Sequence, residues 1–341
     1  MKNSLIHQRK SDHIQISLNE DVSSALTTGL EKLHFTHQAL PEMNFEEIDP
    51  SFVLLGKDIS FPLLISSMTG GTPTAAGINR NLALAAEKKK VGLALGSQRA
   101  AIEDPVHTPT YKIRDVAPNI PLFANLGAIQ LNYGFGLDEC QRAVDMIQAD
   151  GLILHLNPLQ EVLQPEGETN FRGLIKKIQS LCKKIGCPVI VKEVGFGISA
   201  QVSQMLSEAG VWAVDVAGAG GTSWSQVEKF RAENEENAQV ADAFRDWGIS
   251  TVESICLARK AVPNIRVFAS EGLRSGVDMA KCIALGAELC GIARPFLKAA
   301  TRSPAAVENL IDVYFKQFKL AMFAAGILDL KGLSRAPLIQ S

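Results

Sequence analysis

Polar side chains gather at the carboxyl ends of short apolar runs in this chain. One run leads into His155-Leu156-Asn157-Pro158-Leu159-Gln160-Glu161 and the next into Lys192-Glu193-Val194-Gly195. Others end in Ser66-Ser67-Met68-Thr69-Gly70-Gly71, in Gly96-Ser97-Gln98-Arg99, at Asn125 and in Asp215-Val216-Ala217. Lys192 closes an apolar run, so its ammonium is partly buried where it emerges. Such a lysine serves as a Schiff-base nucleophile or as a fixed charge beside an anionic cofactor. No acid–base partners suited to carbinolamine chemistry can be picked out, so the charge role leads. Glu161 stands in a loop with few other carboxylates before Glu166 and Glu168. It is either a solvated loop glutamate or the single carboxylate of a magnesium site completed by phosphate oxygens and water.

Glycine-rich turns supply a second kind of chemistry. A turn that opens a helix presents backbone N–H groups and the positive end of the helix dipole, which suits a phosphate. Gly272 and Arg274 after the seventh run, and Ala293 and Arg294 after the eighth, fit that pattern. The loop Gly218-Ala219-Gly220-Gly221-Thr222 would let backbone lie against a flat ligand face. It is not a dinucleotide fingerprint, because it follows the sixth run rather than the first. Near the start, Arg9-Lys10-x-Asp12-His13 is a basic cluster that by itself reads as surface charge and, given a diphosphate-like ligand, as a clamp through charge-assisted bonds.

The elements that must position these groups recur with one rhythm. Apolar runs of four to six residues lie at 62–67, 91–95, 122–125, 152–156, 189–192, 212–216, 267–270 and 289–292. Their length is that of buried parallel strands. Helical periodicity occupies 75–89, 137–149, 171–185, 199–209, 249–261 and 277–285 between them. Eight alternating units predict an α/β fold, a (β/α)8 TIM barrel with an N-terminal extension and a C-terminal helix; a doubly wound open sheet is the other architecture. Residues 1–61 read as a polar extension with a short hairpin near 52–61, 62–302 as the barrel, and 303–341 as a terminal helix (303–325) followed by loop. Two breaks are long, 157–170 and 217–247, and long βα loops are where barrels carry function. The acidic run Glu233-Asn234-Glu235-Glu236 in the second reads as a solvated helix face.

Composition removes several classes of function. The 341 residues are 46% hydrophobic and 21% charged, which excludes a disordered chain, and the net charge of −2 gives no general attraction to nucleic acid or anionic membranes. No run approaches the roughly 20 apolar residues of a membrane span, and the first 20 residues are polar, carry charges throughout and contain no apolar run. The six cysteines show no C-x-x-C pair and no zinc spacing, so reduced thiols and a cytoplasmic location are expected.

Taken together, these motifs resemble the type 2, flavin-dependent isopentenyl diphosphate isomerases. The resemblance rests on Arg9-Lys10-x-Asp12-His13, Met68-Thr69-Gly70-Gly71, His155 to Glu161 with Gln164-Pro165-Glu166-Gly167, and Val191 to Gly197. It continues through Ala217-Gly218-x-Gly220-Gly221-Thr222-Ser223-Trp224 to the Gly272, Arg274 and Ala293 positions. It implies FMN, active when reduced, with Mg²⁺, NADPH as reductant, isopentenyl and dimethylallyl diphosphate as substrates, and a homotetramer or homo-octamer. It further implies that Ser67, Met68, Thr69, Ser97, Asn125, Lys192 and Thr222 line the flavin, and that Gly272, Arg274, Ala293 and Arg294 hold its phosphate. Arg9, Lys10, His13, Ser97, Arg99, His155 and Asn157 would surround the diphosphate, with Gln160, Lys192 and His155 as the catalytic set and Glu161 on the metal. Glu271 stands where the family more often has glycine, which puts a negative charge near the expected FMN phosphate. An FMN-dependent 2-hydroxy-acid oxidase on the same barrel is the rival reading. It needs a histidine base in an Asn-His-Gly-x-Arg context, and the loop 217–221 has none.

Overall fold

The computed structural model describes the backbone of residues 2–340 and the side chains of residues 9, 10 and 12–340. Eight short strands close into a parallel barrel: β1 (Leu63–Ile65), β2 (Gly92–Ala94), β3 (Leu122–Gly127), β4 (Gly151–His155), β5 (Val189–Lys192), β6 (Ala213–Asp215), β7 (Arg266–Ser270) and β8 (Leu289–Ile292). Each pairs with the next in sequence, and β8 closes on β1 through Cys290–Leu63 and Ile292–Ile65. The expected eight-unit barrel is therefore present, and the open sheet is excluded.

Strand alternation explains how one short run serves two purposes. The residues pointing into the lower barrel are Leu64, Ala94, Phe123, Ile153, Ile190, Ala213, Phe268 and Leu289, one from each strand, and they form a closed apolar layer. The hairpin Phe52–Leu54/Lys57–Ile59 caps that layer from below with Leu54 and Ile59. Truncating fully buried Phe268 to alanine would cost about 3–5 kcal/mol. Two residues further along, the same inward face carries Ser66, Asn125, His155, Lys192, Asp215 and Ser270. The polar strand ends thus stand on an apolar floor. Outward residues such as Ile65, Leu122, Leu154 and Val191 pack under the helices.

The helices start where capping chemistry allows. Thr72 accepts the Ala75 amide to open Pro73–Lys89, Ser199 accepts Val202 to open Ala200–Glu208, and Ser303 accepts Ala306 to open Pro304–Ala324. Phe61 and Phe318 meet with centroids 6.1 Å apart where this last helix closes the first strand region. The tail expected as loop contains a short helix, Leu330–Leu333, and a strand, Leu338–Gln340, paired antiparallel with Leu33–Phe35. The acidic run is exposed at the start of helix Glu235–Asp242, with Asn234 as its cap. The polar start of the chain is a helix, Lys2–Asn19, that packs against helices Trp224–Phe230 and Arg294–Ala300 at the carboxyl end of the barrel.

Candidate active site

Above the polar layer lies a cavity of about 1430 Å³, open mouth included. Its lining comes from nearly every strand end and from the N-terminal helix. On one wall, Lys192 is 5% exposed, in register with His155 on β4 and Asp215 on β6. Its ammonium donates to the Glu193 carbonyl at 2.7 Å. Ser270 donates to one Asp215 carboxylate oxygen at 2.6 Å, while the other, buried, has no partner. Burial raises the Asp215 carboxyl above its ordinary range against the pull of Lys192, and raises Glu271 with Lys192 again opposing. Glu193 is pushed up to about 7 by burial although three backbone amides, from Val194 to Phe196, donate to it.

His155 has a defined tautomer. Asn125 donates its amide to Ser67 Oγ at 2.9 Å, which turns its carbonyl oxygen toward His155 Nδ1 at 2.9 Å. Nδ1 therefore carries the proton. Burial, then the charges of Lys192 and Arg9, lowers this imidazole to about 4, so it is neutral near pH 7.

A continuous chain of hydrogen bonds runs along the opposite wall. Arg99 binds Glu168 with both guanidinium arms at 2.9 and 2.8 Å and Glu103 through Nε at 2.8 Å. The Glu168 amide donates to Glu161 at 2.7 Å, and Gln164 donates to the same oxygen at 2.6 Å. Asn157 donates to Glu161 at 3.0 Å and to the Gln160 carbonyl oxygen at 3.1 Å. Gln160 passes its own amide to Glu228 at 3.1 Å, where His13 also bonds at 3.0 Å and Arg231 at 2.6 Å. Burial works to raise the Glu228 carboxyl, but the bond from His13 and the nearby Arg231 charge hold it below its ordinary value. Burial lowers His13, so a neutral imidazole donating to an ionised Glu228 satisfies both. The loop that carries Glu161 depends on Gly167: a Cβ there would sit 1.6 Å from the Glu161 carbonyl oxygen.

The N-terminal helix forms the roof. Lys10 reaches down to the Gly70 and Ser97 carbonyls at 2.9 and 3.1 Å and to the Tyr111 hydroxyl at 2.8 Å. His13 packs edge-on to Trp224 with centroids 5.0 Å apart.

Of the residues that the resemblance assigns to the flavin, the substrate, the metal or catalysis, all but two line this one cavity. The exceptions are Gly272 and Arg274. Gly272 is pressed into the protein, where a Cβ would lie 2.3 Å from Thr28, and the Arg274 side chain is exposed to solvent. The glycines of 218–221 also face the chain itself: a Cβ on Gly220 would meet Thr28 backbone at 2.4 Å. Only Thr222 of that loop reaches the cavity. Glu271 does line it, with φ of 71°, a conformation strained for any side chain. Arg294 lines it too, but its guanidinium points to the N-terminal helix. Sequence reasoning missed Gln130, Tyr111 and Glu228. Nothing distinguishes Glu228 from an ordinary helical glutamate, whereas Asp215 and Ser270, already visible at strand ends, are inward positions two residues beyond Ala213 and Phe268 that could have been given a role.

Residues 159–340, just over half the chain, match the family model described as FMN-dependent dehydrogenase, so this closed barrel with its buried lysine and polar cavity belongs to that family. Within that family the chain belongs to the isopentenyl-diphosphate delta-isomerases. It is similar to the isopentenyl-diphosphate delta-isomerase of Nostoc sp. (strain PCC 7120), 51% identical over 333 residues, covering 97% of this chain and 95% of that one. It is 47% identical over 329 residues to the enzyme of the same name from Rickettsia felis, covering 96% and 95%. Among solved structures, a mandelate oxidase with (S)-2-phenylpropionate superposes with a TM-score of 0.69 at 17% identity, covering 99% of this chain and 98% of that one. That likeness shows the fold alone.

Proposed function

We propose that this chain interconverts isopentenyl and dimethylallyl diphosphate in isoprenoid biosynthesis, using reduced FMN and Mg²⁺. The observation that carries the reading is the make-up of the cavity: a buried Lys192 ammonium on one wall, with Arg9, Lys10 and Arg99 and the neutral amide of Gln160 elsewhere in the same lining. The residues suit FMN, since the Lys192 ammonium has a single backbone acceptor and a negative ring system would complete it. Ser67, Met68, Thr69, Ser97, Asn125 and Thr222 would flank the ring, with Ala293 and the backbone of Arg294 toward the phosphate, since the Arg294 guanidinium is engaged by the N-terminal helix. Gly272 and Arg274 would support that loop from outside the cavity. Reduced FMN supplies an acid–base group and an electron-rich face beside a carbocation.

The reaction moves a double bond by adding one proton and removing another, with no net redox change. An alkene is a weak base, so the proton donor must be strong and the cationic intermediate kept from water. Neutral His155 and the hydrogen-bonded Gln160 are poor donors of that kind and serve to orient the substrate. Lys192 holds negative charge on the cofactor in place. Arg9, Lys10, His13, Arg99, His155 and Asn157 bind the diphosphate. Glu161, 7% exposed, and the unpartnered Asn157 carbonyl oxygen beside it offer hard oxygen donors for Mg²⁺. Among the described residues no group of three or more His, Cys, Asp or Glu could hold a metal by itself, so the substrate's phosphate oxygens would supply most of the coordination.

The domain plan that goes with this reading is a clamp-bearing extension (1–61), a barrel (62–302) and a C-terminal segment (303–341). NADPH is the proposed reductant, the cytoplasm the proposed location, and a homotetramer or homo-octamer the proposed assembly. Among the described residues, no helix is long and apolar enough to cross a membrane. A hydroxy-acid oxidase would need a histidine base after β6, where this chain has Ala217 to Thr222. The test is to supply anaerobic protein with isopentenyl diphosphate, Mg²⁺ and dithionite-reduced FMN. Dimethylallyl diphosphate is the expected product, and its absence from folded, FMN-loaded protein would defeat the proposal.

A further inference from the structure

We propose that the Arg294 side chain is the anchor of the N-terminal helix, a positioning residue that presents the diphosphate clamp to the cavity. The inference rests on the reading of Arg9, Lys10 and His13 as that clamp. Arg294 Nε donates to the Ser17 carbonyl at 2.8 Å and Nη2 to the Glu20 carbonyl at 3.0 Å. These are carbonyls at the C-terminal end of helix Lys2–Asn19, which carries no basic residue in its own last turn. The guanidinium fork thus supplies, from helix Arg294–Ala300, the cation that this helix end lacks. Ser17 lies one helical turn beyond His13 and two beyond Lys10, about 6 and 10 Å along the axis at 1.5 Å per residue. Fixing that end fixes the height of the clamp over the cavity.

The anchor has work to do because docking buries charge. Burial disfavours the charges of both Arg9 and Lys10; Glu161 and Glu166 favour that of Arg9, while Arg9 and Arg99 further disfavour that of Lys10. An arriving diphosphate offsets that cost; before it arrives, Arg294 adds to the hold that Lys10 and His13 give the helix. Ile14, 7% exposed, and Ser17 share the cavity wall with Leu297, so the same helix face seats against the element bearing Arg294.

The experiment compares wild type with Arg294→Ala and Arg294→Lys as FMN-loaded protein, reading three quantities: tryptic cleavage after Arg9 and Lys10, the FMN dissociation constant, and KM against kcat for isopentenyl diphosphate. In Arg294→Ala, cleavage should quicken and KM should rise by about five- to tenfold, the effect of losing two charge-assisted bonds at a partly exposed site. The kcat should fall less than KM rises, FMN affinity should stay within about twofold, and Arg294→Lys should restore part of the change because it keeps the charge without the fork. Inorganic pyrophosphate with Mg²⁺ should slow the cleavage of Arg294→Ala again. Unchanged cleavage together with weakened FMN binding would overturn the inference and give the guanidinium to the cofactor phosphate. If wild type itself showed no isomerase activity, the clamp reading would fail, while the cleavage rates would still report whether Arg294 anchors the helix.

Discussion

In the proposed clamp, Lys10 is the residue whose ionisation burial moves into the working pH range. Burial, reinforced by the adjacent Arg9 charge, pushes its ammonium down to about 7. If the protonated form meets the diphosphate, kcat/KM must follow the protonated fraction, about one half at pH 7 and about 1% at pH 9. That is a fall of about fiftyfold across two pH units. Lys10→Arg keeps its charge throughout the range and should flatten the profile, and comparing the two removes the substrate's own titration. Docking of the N-terminal helix should respond with the opposite sign. The docked state disfavours the charged ammonium, so between pH 7 and about 10.5 the undocked state binds more protons and docking strengthens as pH rises. Emission from Trp224, against which His13 packs, can follow docking. The rates should be taken at low isopentenyl diphosphate with reduced FMN and Mg²⁺. A level wild-type kcat/KM from pH 7 to 9, or an equally steep fall in Lys10→Arg, would refute the reasoning.

Three further substitutions probe the hydrogen-bonded wall. Gly167→Ala must displace the Glu161 carbonyl, 1.6 Å from the added Cβ, and should lower kcat/KM by about a hundredfold with FMN affinity intact in a flavin titration. Glu228→Gln keeps the volume of a side chain that is 2% exposed but removes the charge facing Arg231; thermal unfolding should show a loss of about 1.5–3 kcal/mol. Gln160→Asn shortens the reach to Glu228, now 3.1 Å, and should cut turnover by about ten- to a hundredfold. Loss of flavin binding in that variant would count against a substrate-positioning role.

The barrel was legible because its signals are local. The runs at 189–192 and 289–292 coincide with β5 and β8, since an apolar run bounded by turn residues has few other uses in an alternating chain. The strand Leu338–Gln340 was not legible: it exists by pairing with Leu33–Phe35, some 300 residues away. Helix Lys2–Asn19 is polar and has no strong apolar stripe to announce it; it is held by contacts of Lys10, His13 and Arg294 that no spacing reveals. The types of the site residues could be read from strand ends, but their directions could not. Arg274 and Arg294 look alike in sequence, yet one points to solvent and the other to a helix end. The glycines of 218–221 look the same whether backbone approaches a ligand or, as here, the chain itself.

The central claim is a redox-neutral isomerase that uses a reduced flavin. The most direct measurement loads the protein with FMN, reduces it once with a stoichiometric amount of dithionite under anaerobic conditions, and adds isopentenyl diphosphate in large excess with Mg²⁺. Flavin absorbance and dimethylallyl diphosphate are then followed together. The account predicts many turnovers while the flavin stays reduced, and no product from an oxidised control. Product formed only in proportion to flavin oxidation, or no product from loaded protein in either state, would contradict it.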